Sequence, residues 1–329
     1  MPARSWTALQ AGADEVAFVG VDDLTISADS ISVSLNLAAA DGTVVDFASM
    51  QGDAALVVST GPDASIALDM DGEKGALLQA SGNVTLDVFG FVQVAGGFAF
   101  EKSSTKVRLA GDAAVDDDPA TLEVDESLVA VDVLTVGASD VTIFAGLRGG
   151  QPDELGLKLT GGEFALALMS EQSGTRSWTA LTMGDVSVTG NVNLGLSELT
   201  AKITVSKLEV NLASVGASRL DWTTVVDLDG DGAKDVLDPG LDLPNPVSLP
   251  IDLASSLELR ISGSLEGTKD ESFDVDFNSG TPVVPMKVFL TLGEVKLTGV
   301  AQFALVKRTV TADVDGTANG PLLTSAQLL

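Results

Sequence analysis

The sequence predicts an all-β protein with an elongated antiparallel architecture of stacked, sandwich-like or groove-like sheets. Three observations predict this fold. Apolar and polar residues alternate along most of the chain, turn residues interrupt the alternation at short intervals, and one hexapeptide occurs twice. Alternation with a period of two places one face of a strand in a core and the other in water. Helical spacing of apolar residues is scarce, so strands are favoured throughout.

The hexapeptide RSWTAL at Arg4–Leu9 recurs unchanged at Arg176–Leu181, although the chain has only three tryptophans. The copies also match further on: Leu24–Thr25 with Leu199–Thr200, Asn36–Leu37 with Asn211–Leu212, Val45–Phe47 with Leu220–Trp222, Ser81–Gly82 with Ser262–Gly263, and Phe98–Ala99 with Phe303–Ala304. These matches predict a tandem repeat of about 172 residues, with a first copy at 1–175 and a truncated second copy at 176–329. A repeat read from sequence has an arbitrary phase, so the folded unit need not begin at Arg4.

The strands are predicted from individual alternating runs. The run from Val84 to Phe100 keeps its apolar residues on even positions, which indicates either one long strand or a hairpin folded at Gly96–Gly97. The run from Leu199 to Leu212 changes phase once along its length. Glycine supplies positive φ and aspartate caps turns, so turns are predicted where these residues cluster. The clusters are Asp41–Gly42, Gly61–Asp63, Asp71–Gly72, Gly96–Gly97, Asp118–Pro119, Gly149–Gly150 and Gly161–Gly162.

Composition excludes several classes of function. The chain has 329 residues and a formal net charge of −29, so nucleic acid and anionic membrane surfaces are not expected partners. Hydrophobic residues make up 45%, which is too many for a wholly disordered chain. Cysteine and histidine are absent, which removes disulfides, thiol nucleophiles and the commonest general base. We therefore expect a protein that is not an enzyme.

No run of about 18 consecutive apolar residues occurs, so no transmembrane helix is predicted. The chain also opens without the basic and then apolar stretch of a signal peptide. Its first residues lead directly into the repeat, and we expect the natural protein to continue on both sides.

One acidic segment, Asp227–Asp238, has the spacing of a calcium-binding loop. Calcium prefers six to eight oxygen ligands, and carboxylates on alternate residues of a tight loop supply them. The predicted ligands are Asp227, Asp229, Asp231, the Ala233 carbonyl, Asp235 and Asp238. The segment resembles the EF-hand loop, and more closely the DxDxDG loops of secreted proteins that lack flanking helices. The alternative is a solvated acidic turn without an ion.

Two departures from the EF-hand pattern bear on affinity. Lys234 replaces an aliphatic residue, and Asp238 replaces the final glutamate, whose longer side chain binds calcium through both oxygens. The first copy has no such acidic cluster in the corresponding region, where it reads Gly52–Leu56. The calcium loop is therefore predicted to be an elaboration of the second copy, followed by an extended connection through Leu243–Val247 and Pro250.

Other candidate sites have a simpler interpretation. The acidic run Asp116–Asp118 is interpreted as a solvated turn, and the short DxDG fragments at Asp69–Gly72 and Asp313–Gly316 as hairpin turns. The tryptophans Trp6, Trp178 and Trp222 are candidate sugar platforms, but packing in the core or between repeats is favoured.

The repeated hexapeptide, the Gly90–Lys102 segment, the DxDxDG loop and the acidity without cysteine make the chain similar to giant secreted bacterial surface proteins and adhesins. This resemblance implies a structural or adhesive spacer module that calcium makes rigid, located outside the cell or at its surface. The implied partners are neighbouring repeats of the same protein, or further copies in self-assembly.

Two other functions stay open from the residues alone. Long alternating strands resemble lipid-transporting β-grooves, so the alternative is a groove that binds lipid or another hydrophobic ligand. A polysaccharide hydrolase using a pair of carboxylates is less favoured, because aromatic residues are few and histidine is absent. Lipid and glycan therefore remain possible partners on this reasoning.

Overall fold

A computed structural model describes residues 4–49, 56–108, 128–193, 197–223, 235–273, 284–313 and 322–328. The prediction of an all-β antiparallel fold is confirmed, and the described residues contain no α-helix. A 3₁₀ turn spans Pro239–Asp242. The strands are β1 Thr7–Phe18, β2 Leu24–Leu37, β3 Leu56–Gly61, β4 Ala64–Leu68, β5 Leu77–Val88, β6 Val92–Arg108, β7 Leu128–Leu147, β8 Leu155–Glu171, β9 Ser177–Asn193, β10 Ser197–Ala213, β11 Leu257–Gly267, β12 Lys269–Phe273, β13 Val284–Leu292, β14 Val295–Thr298, β15 Val300–Asp313 and β16 Leu322–Leu328.

Fourteen of these strands form one antiparallel sheet, and eleven of them follow each other in the order β1-β2-β5-β6-β7-β8-β9-β10-β11-β15-β16. At the start of β10 a branch leads to β13, which also pairs with β12 and β14. Strands β3 and β4 make a separate hairpin. Most neighbours in the sheet are neighbours in sequence, as in a meander, because an antiparallel pair needs only a short turn.

Irregular positions recur where the long strands cross the middle of the sheet. Ser30, Asp140 and Gly161 have positive φ there, and the β10–β11 register shifts between Val205 and Lys207. Such bulges insert one residue and reset the alternation. The phase change predicted within β10 has this cause.

Two turn predictions are wrong for the same reason. Gly96–Gly97 lies inside β6 and Gly161–Gly162 inside β8, so neither pair ends its strand. A Cβ at Gly96 would lie 3.0 Å from the Cα of Val141, so glycine permits close backbone approach there and not a chain reversal. The hairpin between β5 and β6 instead turns at Phe89–Gly90, where both residues have positive φ.

Two long connections cover one face of the sheet. Segment 38–76 joins β2 to β5, and segment 214–256 joins β10 to β11. Apolar side chains of the second segment pack onto β6–β9, and this burial supplies the larger core. That core contains Val107, Val131, Val133, Ala165, Ala167, Met169, Trp178, Ala180, Leu220, Trp222, Leu237, Ile251, Leu253 and Leu257. The first segment forms a smaller core of Phe47, Leu68, Met70 and Leu77.

The sequence matches between the two copies fall on corresponding pairs of strands. Ala8 pairs with Asn36 between β1 and β2, as Ala180 pairs with Asn211 between β9 and β10. Likewise, Gly82 of β5 pairs with Phe98 of β6, and the matched Gly263 of β11 pairs with Phe303 of β15. The predicted boundary at residue 175 lies in the turn between β8 and β9. The fixed period of about 172 residues and the two domain boundaries stay predictions.

Candidate functional site

Each covering segment is fastened to the sheet by a fully buried asparagine at a matched position. Asn36 Nδ2 donates to the carbonyl of Val45 at 2.8 Å, and Asn211 Nδ2 donates to the carbonyl of Leu220 at 2.9 Å. Asn211 also donates to Ala254 O at 3.1 Å, and its Oδ1 accepts from Trp222 Nε1 at 3.1 Å. Segment 214–256 is therefore held at three points by one side chain.

The three tryptophans occupy two kinds of environment. Trp178 and Trp222 are core residues, and Trp178 Nε1 donates to the carbonyl of Ser218 at 2.9 Å. Trp6 makes the matching bond to Thr43 O at 3.0 Å, yet 40% of its surface is exposed. A sugar platform needs an open ring face, so the packing interpretation holds for Trp178 and Trp222. Trp6 makes the same local hydrogen bond, but its ring is not buried in either hydrophobic core.

A polar cluster joins β5 and β6 to the 3₁₀ turn of the second covering segment. Lys74 Nζ lies 2.6 Å from Glu101 Oε2, and Gln79 Nε2 donates to Glu101 Oε2 at 3.3 Å and to Asp242 Oδ1 at 2.8 Å. Burial, followed by the nearby charge of Glu101, raises the pKa of Asp242, and Lys74 opposes this. For Lys74, burial alone would lower the pKa, but its contact with Glu101 and the charges of Glu101, Asp242 and Asp71 raise it. The cluster couples the two covering segments electrostatically.

A cavity of about 330 Å³ lies where residues 248–253 cross β9 and β10. Its walls include Glu163, Glu209 and Asp252. Glu209 is buried, with Oε1 2.7 Å from Lys207 Nζ and Oε2 2.8 Å from Arg260 Nη1. The second contact is an ion pair without hydrogen-bond geometry, since Oε2 has no hydrogen-bond partner. Cations therefore face both oxygens of Glu209, an arrangement that suits structure better than acid–base chemistry.

The calcium-loop residues Asp227, Asp229, Asp231 and Ala233 lie outside the described residues, as does the acidic run Asp116–Asp118. Asp235 is half-buried, and Asp238 caps the 3₁₀ turn. Within the described ranges, no group of three or more acidic side chains is placed to hold a metal ion.

The carboxylate of Asp238 already has partners on both oxygens. Its Oδ1 accepts from Gly240 N at 3.2 Å and Leu249 N at 2.7 Å, and its Oδ2 accepts from Ser248 Oγ at 2.8 Å. Bidentate coordination by Asp238 would have to displace these bonds. Asp238 therefore fits an outer, orienting position better than that of the bidentate ligand.

Comparison with known proteins identifies no relative. No protein-family model, curated protein or solved structure matches this chain. No helix in the described part of the chain is long and apolar enough to cross a membrane.

The sheet face opposite the covering segments carries continuous apolar rows. One row of paired residues runs from β1 to β11: Phe18, Ile26, Leu86, Val94, Ile143, Leu159, Val188, Ile203 and Leu265. A second runs from β2 to β11: Val33, Ala80, Phe100, Val136, Leu166, Leu181, Val210 and Leu259. Because β5 and β6 pair without a bulge, Val94 and Phe100 share one face.

These rows are not part of either described core. Phe18, Ile26, Ile143 and Ile203 are exposed, and Phe100 is 39% exposed. Contiguous exposed apolar surfaces are typical of protein–protein and ligand-binding surfaces. Alternation in the sequence predicts apolar faces, but the rows depend on the register between strands, which the sequence does not supply.

Proposed function

We propose that the chain is a structural module of a large extracellular or cell-surface protein, in which successive repeats merge into one sheet. The observation that supports this best is the pairing of β8 with β9 across the predicted copy boundary. The pairing begins with Gly156 opposite Asn191 and ends with Ser170 opposite Ser177, so it covers nearly the full length of both strands. A module joined in this way transmits order from one repeat to the next.

Calcium binding in the Asp227–Asp238 segment is part of the proposal. The covering segment that contains it is fastened before the acidic segment, by Asn211 with Trp222, and at its last residue, where Asp238 accepts from Leu249. An ion bound by the predicted ligands would cross-link this stretch of the covering segment and stiffen the cover. Calcium that binds only the folded state must also stabilise it by mass action.

No catalytic role is proposed. The chain has neither histidine nor cysteine, and the buried carboxylate in the cavity, Glu209, faces two cations. In this proposal the charged groups hold strands and covering segments together and take part in no reaction.

Calorimetry on the full chain tests the structural proposal. We expect one melting transition for both halves, at a temperature that rises with calcium and falls with chelator. The double substitution Asp227→Asn with Asp229→Asn should abolish the calcium response. The matched control, Asp116→Asn with Asp117→Asn, removes equal charge elsewhere and should keep it. Two separate transitions would contradict the merged sheet, and melting that ignores calcium would contradict the ion site.

A second candidate function is supported by the apolar rows, namely binding of lipid or another hydrophobic ligand on the open face. Native chain should then bind an apolar dye, and Ile143→Asn should weaken that binding. Thr85→Asn is the matched control, because Thr85 is exposed and its paired neighbours Ser27 and Ala95 lie outside the apolar rows. Absence of dye binding, with no lipid in mass spectra of the purified protein, would remove this candidate.

A further inference from the structure

The two copies of the hexapeptide have the same sequence but different neighbours. In the described part of the chain, β1 pairs only with β2, whereas β9 lies between β8 and β10. The β1–β2 and β9–β10 registers correspond residue by residue around the hexapeptide. Thr7 pairs with Leu37 in the first copy, and the matched Thr179 pairs with Leu212 in the second. The free edge of β1 is thus the counterpart of the edge at which β9 accepts β8.

Matched side chains of the two hexapeptides differ in exposure on the side where β8 lies. Trp178 is 2% exposed and pairs with Met169 of β8, whereas Trp6 is 40% exposed. Leu181 is half-buried opposite Leu166, whereas Leu9 is exposed. The local sequence and the bond to the covering segment are the same in both copies. Two things differ: β8 is present beside β9 and has no counterpart beside β1 among the described strands, and the larger core of the second covering segment also packs on Trp178.

An exposed edge strand with apolar side chains is a template for further pairing. Natural sheets block such edges with proline, lysine or a covering element. The hexapeptide half of β1, Thr7–Gly12, contains none of these residues, and no described segment pairs with its free side. Strand addition at such an edge gains affinity from main-chain hydrogen bonds and specificity from alternate side chains.

We propose that the free edge of β1 is a docking site for a β8-type strand supplied by another repeat of the same kind. The inference rests on the proposed function, because it identifies how one module would receive the next. In the docked strand, the residue equivalent to Met169 lies opposite Trp6, and that equivalent to Leu166 lies opposite Leu9. The strand runs antiparallel to β1, as β8 does to β9.

A synthetic peptide with the sequence of residues 155–171 tests the docking on the full chain. The peptide has no tryptophan, and Trp178 and Trp222 are already buried, so acrylamide quenching reports mainly on Trp6. We expect the peptide to remove most of the quenchable fluorescence. A peptide carrying Ala165→Pro and Ala167→Pro lacks two main-chain donors and should leave the quenching unchanged.

A cross-link then fixes the register, since the natural chain has no cysteine. A chain with Leu9→Cys should form a disulfide with a peptide carrying Leu166→Cys. The same chain with a Leu168→Cys peptide is out of register by two residues and should not. Leu9 is exposed, so its substitution should leave the fold intact.

Several results would overturn the docking proposal. They are peptide binding that leaves Trp6 quenching unchanged, cross-linking that ignores register, or failure of the peptide to bind at all. A dimer of the chain that does not dissociate when the peptide is added would also overturn the proposal. It would show that a second copy binds through a strand other than β8. The single melting transition and the calcium response are measured without peptide, so they can hold or fail independently of this result.

Discussion

Replacing Asn211 by leucine removes the side chain that fastens segment 214–256 while keeping a similar volume. The substitution deletes the bonds to Leu220 O, Ala254 O and Trp222 Nε1, and Asn211 is fully buried. A hydrogen bond contributes about 1 kcal/mol net, and a buried polar group left without a partner costs about 1–3 kcal/mol. With three groups left unpaired, we expect the covering segment to lose roughly 3–5 kcal/mol of stability.

The matched substitution Asn36→Leu provides the internal comparison. Asn36 is equally buried but makes one such bond, to Val45 O, and its Oδ1 has no partner. Its replacement should cost about 1–2 kcal/mol, because one carbonyl is left unpaired and one unsatisfied oxygen is removed. Urea unfolding gives the global cost. Hydrogen exchange in segments 214–223 and 235–256 shows whether the cover opens first.

The reasoning fails if the two variants cost the same, or if Asn211→Leu costs less than about 1 kcal/mol. Either result would mean that the cover is held by apolar burial alone. Faster exchange confined to the cover, with the β8–β9 amides still protected, would support the account.

Two further predictions concern the contact between the 3₁₀ turn and the sheet. Gly137→Ala should destabilise by about 1–3 kcal/mol in urea unfolding, because its Cβ would lie 2.3 Å from the carbonyl oxygen of Pro239. Gly190→Ala has room, with its nearest atom at 3.4 Å, and should change stability little; equal costs would contradict the packing. Asp242→Asn should stabilise the chain at neutral pH, because the folded state raises the pKa of this carboxyl above 3.8. Relative to the unfolded state, the fold favours the protonated form of this carboxyl. The gain should therefore disappear as pH falls through the raised pKa, and a gain that persists at low pH would contradict the assignment.

Local pattern is enough to predict the strands, but not the role of the residues that fasten the covering segments. The alternation of Leu199–Leu212 predicts β10, including its phase change, because period two reports directly on which face is buried. Asn36 and Asn211 are one of several sequence matches between the copies, and their bonds to the covering segments become evident only in the fold. The sequence does not locate the hairpin at Phe89–Gly90, and it leaves a turn at Gly96–Gly97 open because glycine marks a bulge as readily as a turn.

The features that suggest function depend on contacts between distant parts of the chain. Gln79 and Asp242 meet only because the second covering segment extends across β5 and β6. The apolar row through Ile143 requires the register of many strand pairs at once, and each register is fixed by tertiary packing. The exposure of Trp6 follows from the neighbours of β1, which the hexapeptide cannot encode, since Trp178 has the same sequence around it and is buried.

The most direct test of the account is a comparison of two engineered disulfides at matched positions. Leu35 pairs with Leu78 between β2 and β5, the strands that the first covering segment connects. Val210 pairs with Leu259 between β10 and β11, the strands that the second connects. Paired residues on antiparallel strands lie within disulfide reach, at about 4.5–5.5 Å between Cα atoms. If the two halves share one arrangement, cysteines at both pairs should cross-link with similar efficiency, and Val210→Cys with Ile261→Cys should not. Cross-linking at only one matched pair, or equally well out of register, would contradict the account.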